Sequence, residues 1–124
     1  MISAEFTTAT EWCGRPVARK LVDATPRGRV VITGTVREVA TVRVGRASSY
    51  RCLLDDGSGQ IDLLFIGRST IPGLCVGTRC TVEGTVIREA NHLVVWNPLY
   101  RLEPDDNPSE LPGGGLSSGS DGRT

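Results

Sequence analysis

The side chains in this chain that are equipped for chemistry are cations and flat rings. Arg37, Arg43, Arg46 and Arg51 fall within one short stretch, and Arg68, Arg88 and His92 follow. A guanidinium presents a planar fork of donors that suits phosphate oxygens and also stacks on bases. Phe65 and Trp96 stand among these cations, and exposed rings are what single-strand binders use to stack successive bases. Together they predict a surface that holds a polyanion by charge and its bases by contact with a ring. A catalytic constellation is missing. His92, the only histidine, has no Ser or Cys partner motif, and the chain has no Gly-x-x-x-x-Gly-Lys loop. Asp55-Asp56 sits in a turn, where Asp serves through local hydrogen bonds rather than as an acid–base pair or metal site. A non-enzymatic protein without cofactor is expected.

Charge is distributed unevenly. The whole chain carries 14 basic and 14 acidic residues. From Arg15 to Glu103, thirteen Lys and Arg stand against eight Asp and Glu, a net of +5, and the two ends carry −5. All of these cations except Lys20 are arginines. The four cysteines, Cys13, Cys52, Cys75 and Cys80, form no Cys-x-x-Cys pair, so no zinc site is expected. Cys52 and Cys80 fall on apolar strand faces and are expected as small buried thiols; Cys75 falls in a loop. No stretch approaches the ~20 apolar residues of a membrane span. Met1 to Thr10 lack a basic start followed by an apolar run, so no signal peptide is expected and a cytoplasmic location is.

The elements that must position these residues are strands. Five patterns of period two run over about 29–42, 50–55, 60–66, 79–89 and 92–102. Val30, Ile32, Gly34 and Val36 share one face, as do Tyr50, Cys52 and Leu54, then Ile61 and Leu63, then Cys80, Val82, Gly84 and Val86. Gly34 and Gly84 lie inside strand patterns, where glycine marks a sharply coiled corner. Arg43 to Ser49 is expected as a loop, Asp56-Gly57-Ser58-Gly59 as a hairpin turn and Ala90-Asn91 as a second hairpin. Asn97-Pro98 must bend the last strand or leave it at an edge. Alternation puts Phe65 inward with Ile61 and Leu63, whereas a bulge at Leu64 would turn it outward. Trp96 shares its parity with His92 and Val94, and Leu53, Leu64 and Ile66 share theirs with Arg51 and Asp62.

These patterns predict an all-β fold, a five-stranded Greek-key barrel of the OB-fold type, over residues 29–103. Residues 1–28 form an N-terminal extension in which a short helix over Glu11–Val22 is broken by Gly14 and Pro16. Residues 104–124, rich in Asp, Pro, Ser and Gly, are expected as a disordered acidic tail.

Val36 to Leu102 resembles the OB-fold wedge domain of RecG-type branch-migration helicases. The similarity rests on Asp56-Gly57-Ser58-Gly59, Leu63-Leu64-Phe65, Pro72-Gly73 with Gly77, Val82-Glu83-Gly84 and Asn97-Pro98-Leu99-Tyr100-Arg101-Leu102. Small stand-alone actinobacterial proteins share this look. The resemblance implies base stacking by a ring at the Phe65 position, with Ile66 where the family carries a second aromatic, and no helicase motor. The expected function is binding of single-stranded or branched DNA, or RNA, by Arg37, Arg43, Arg46, Arg51, Arg68 and Arg88 around Phe65, His92 and Trp96. The alternative is a protein-interaction or homodimer surface on Leu53, Leu64 and Ile66, with no membrane partner in either case.

Overall fold

The computed structural model describes residues 6–104, so the tail expected over 104–124 lies outside the described residues apart from its first residue. The described residues are all-β apart from one short 3-10 turn, Leu21–Asp23. A two-residue hairpin, β1 (Glu11–Trp12) and β2 (Arg15–Pro16), stands where a broken helix was expected. Cys13 and Gly14 take φ of 53° and 78° between them, a turn that prevents a helix from passing through.

The main sheet contains β3 (Arg29–Val44), β4 (Ala47–Asp55), β5 (Gln60–Phe65), β6 (Arg79–Glu89), β7 (His92–Trp96) and β8 (Leu99–Leu102). β3 pairs antiparallel with β4 and with β6, β4 with β5, and β6 with β7 and β8, while β5 and β7 run parallel. The expected Arg43–Ser49 loop is a correction. Both strands continue toward a tight turn in which Gly45 takes φ of 60°. The last strand does bend at Asn97-Pro98, where Asn97 takes φ of 50°, and it continues as β8 along the first half of β6.

Alternation fills the interior. Val30, Ile32, Val36, Cys52, Leu54, Ile61, Leu63, Cys80, Val82, Val86 and Val95 are buried. A bulge falls at Arg37, between the pairs Val36–Leu54 and Glu38–Leu53. It shifts the inward set of β3 from Val36 to Val39 and throws Arg37 out. Gly34 is where β3 coils against the end of β4: a Cβ there would come within 2.6 Å of the Asp55 carbonyl oxygen. Burial drives the Cys52 thiol up to about 12 and the Cys80 thiol up to about 11, so both behave as apolar packing groups.

The N-terminal segment docks on this sheet. Ala18 bridges Val30, and Leu21 is a buried member of the core. The Asp56-Gly57-Ser58-Gly59 turn holds it there. The Leu21 N–H donates to Asp56 Oδ2 at 2.8 Å and the Val22 N–H to Ser58 Oγ at 3.0 Å. This turn is therefore a seat for the chain's own Leu21.

Candidate nucleic-acid interface

The strand register decides which expected site residues meet. Arg51 lies opposite Leu64, Leu53 opposite Asp62, Asp62 beside Val94, and Leu64 beside Trp96. Paired residues point to the same side of a sheet. The outward face of β4, β5 and β7 therefore carries Arg51, Leu53, Asp62, Leu64, His92, Val94 and Trp96.

Asp62 is the centre of this face. Its side chain is only 7% exposed, with Arg51 Nη2 2.9 Å from Oδ1 and His92 Nε2 3.3 Å from Oδ2. Oδ1 is thus buried in an ion pair with Arg51 but accepts no aligned hydrogen bond. Trp96, 47% exposed, is held at the rim because its Nε1 donates to Glu89 Oε2 at 3.0 Å. Val42, Arg51, Asp62, Leu64, Glu89, His92 and Val94 line a groove of about 220 Å³. A second hollow of about 440 Å³ adjoins it over Leu53, Gln60, Asn91 and Leu93.

The other expected residues spread outward from this groove. Arg43, opposite Ser48, lies on the opposite sheet face from Arg51 and is exposed. Arg46 is exposed at the β3–β4 turn and Arg68 is exposed just past β5. The Thr41 hydroxyl donates to the Ser69 carbonyl at 2.9 Å, tying the Arg68 turn to the strand that carries Arg43. These three arginines share one end of β4. Arg37, 3.9 Å from Asp55, belongs to the other end, as do Arg88 and His92 of the β6–β7 hairpin.

Three expectations are corrected here. The arginines do not converge on one barrel opening, because the antiparallel register sends them to two ends. Arg88 pairs with Leu93 and so faces away from His92, which pairs with Glu89. Phe65 is 5% exposed and packs edge-on against Tyr100 at 5.6 Å. The β4–β5 ladder runs without a bulge from Tyr50–Phe65 to Asp55–Gln60, so alternation keeps the ring inside and the stacking role implied by the resemblance has no exposed ring there. Of the outward apolar group, Leu64 is buried and Leu53 and Ile66 are half-buried.

Asp62 and Glu89 were not among the expected site residues. The signal for Asp62 was present, a carboxylate with the parity of Arg51 on the next strand. Among the described residues no group of three or more His, Cys, Asp or Glu side chains is placed to hold a metal ion, and no helix is long and apolar enough to cross a membrane. No protein-family model matches the chain, and no curated protein matches it.

Proposed function

We propose that this chain is a non-enzymatic OB-fold module that binds single-stranded or branched nucleic acid across the outward face of β4, β5 and β7. The return pairing of β6 with β3 supports a closed five-stranded Greek-key barrel, in which this face is the one used for oligonucleotides. The observation that carries the reading is the groove itself. Its floor is apolar, Leu64 and Val94, Trp96 stands exposed at its rim through Glu89, and arginines lie beyond both ends. Bases lie in the groove, and the strand's phosphates meet Arg46 and Arg68 at one end and Arg37 at the other. Competing protein docking on Leu53, Leu64 and Ile66 has less to hold, since none of the three is fully exposed.

Fluorescence anisotropy with a labelled single-stranded oligonucleotide tests this at low and high salt. Affinity should fall with log salt at about −0.7 per phosphate neutralised. Absence of binding at low salt rejects the reading.

A further inference from the structure

Asp62 stands apart from the other carboxylates that are not exposed. Asp55 accepts from the Gly57 N–H and from Gln60. Asp56 accepts from the N–H groups of Leu21, Ser58 and Gly59. Glu83 accepts from the Thr7 N–H and Arg29, Glu103 from Thr81 and Arg101, and Glu89 from Trp96. Asp62 is more buried than any of these except Glu83, yet its Oδ1 accepts no hydrogen bond. It is held there by the charge of Arg51 rather than by an aligned hydrogen bond, and it lines both hollows of the outward groove.

We infer that Asp62 reads guanine in a bound single strand, an inference that rests on the nucleic-acid reading of this face. Guanine presents two neighbouring donors, N1–H and the 2-amino group, to a carboxylate in the same fork geometry as arginine. Cytosine and adenine present an amino group beside an acceptor nitrogen, and thymine presents one N–H between two carbonyls that repel the carboxylate. Arg51 Nη2 lies 2.9 Å from Oδ1 and His92 Nε2 3.3 Å from Oδ2, and both of these side chains are exposed enough to swing away. Guanine entry turns Arg51 aside, and its guanidinium then lies beside the base's O6 acceptor. Trp96 is two residues along β7 from Val94, the register partner of Asp62. That is roughly 7 Å, enough to stack the neighbouring base while Asp62 holds the guanine.

The test is anisotropy at low salt with the full chain and labelled oligo-dT strands that carry one central dG, deoxyinosine, dA, dC or dT. The dG strand should bind about tenfold tighter than the all-dT strand. Deoxyinosine, which lacks the 2-amino group, should lose most of that preference, a comparison that needs no variant protein. Asp62→Asn should reduce the dG preference, read as the ratio of dG-strand to dT-strand affinity in the same variant, to below about twofold. Equal binding of all five strands overturns the guanine assignment and leaves the general reading standing. Failure of every strand to bind overturns both. An arginine-rich peptide bound by the wild type and released by Asp62→Asn, with no discrimination among bases, makes the face a protein site and also overturns the assignment.

Discussion

The two outward sides of the sheet are built on opposite plans. On the β3–β6–β8 side, polar groups satisfy one another. Glu83, 3% exposed, takes the Arg29 guanidinium at 2.9 Å and the Thr7 N–H at 2.7 Å. Trp12 lies 4.7 Å from the Arg29 guanidinium. The Thr33 and Thr81 hydroxyls share a hydrogen bond, and Thr81 donates to Glu103, which also takes Arg101. The N-terminal segment covers this side. On the β4–β5–β7 side nothing covers the sheet among the described residues, and Asp62, Arg51 and His92 are held together by charge without an aligned hydrogen bond to Oδ1. One side ties its polar groups to a covering segment, whereas the other leaves its ion-paired groups open to solvent.

Mutations can break this contrast, and the largest effect is expected in the core of the sheet. Phe65→Ala should cost about 3–5 kcal/mol of stability, read by urea unfolding, and the folded fraction should bind oligonucleotide as the wild type does. Glu83→Ala on the covered side should cost about 3 kcal/mol, because it strands Arg29 and the Thr7 N–H. The milder change on the open side, Asp62→Asn, should cost about 1 kcal/mol, since it keeps the side chain's volume and loses only the attraction of Arg51 and His92, both partly exposed. If the two carboxylate variants unfold alike in urea, the contrast between the sides is wrong.

Smaller effects sharpen the contrast. Asp56→Ala should cost about 1 kcal/mol, as loss of a capping carboxylate does, and should expose the Leu21 segment to limited proteolysis. Partial burial works against the Asp56 charge, but the N–H groups of Leu21, Ser58 and Gly59 and the Ser58 hydroxyl outweigh it and hold the carboxyl below its ordinary value. A carboxyl lowered by folding stabilises the fold fully above its unfolded pKa of about 3.9, and that contribution disappears as pH falls through the lower folded value. Acid unfolding of the wild type should therefore steepen below about pH 4 and flatten in Asp56→Ala. Trp96→Ala should leave the urea midpoint almost unchanged and weaken single-strand binding by about tenfold. Arg68→Ala should act least, lowering the salt slope by about 0.7 with little change in stability.

The inward half of the fold was legible from period two alone. Val30, Ile32 and Val36, then Cys52 and Leu54, then Ile61 and Leu63 all fall inside as their alternation requires. The bend at Asn97-Pro98 and the coil at Gly34 were legible because proline and glycine restrict or release the backbone in known ways. The site was less legible because it depends on register. Parity places Arg88 and His92 on known sides of their own strands, but only the pairs Arg88–Leu93 and Glu89–His92 show that they diverge. Of the two alternatives for Phe65, alternation holds and the Leu64 bulge is absent; the bulge at Arg37 had no sequence signal, because a bulge is set by how two strands coil together and carries no signature in one of them. The N-terminal hairpin was missed because two-residue strands show no period, and the docking of Leu21 is a contact made across the length of the chain.

The seating of Leu21 on the Asp56 turn also sets an order of events during synthesis. Leu21 leaves the ribosome more than thirty residues before its seat exists, and Arg29 must wait longer still for Thr85 on the closing strand. The most local hairpins can form as they emerge, but the contacts that complete the domain arrive only near its last strand, so folding should be slow for a chain of this size. Until then the apolar face of the first long strand is held open, and a nascent chain stalled before residue 79 would offer that face to chaperones.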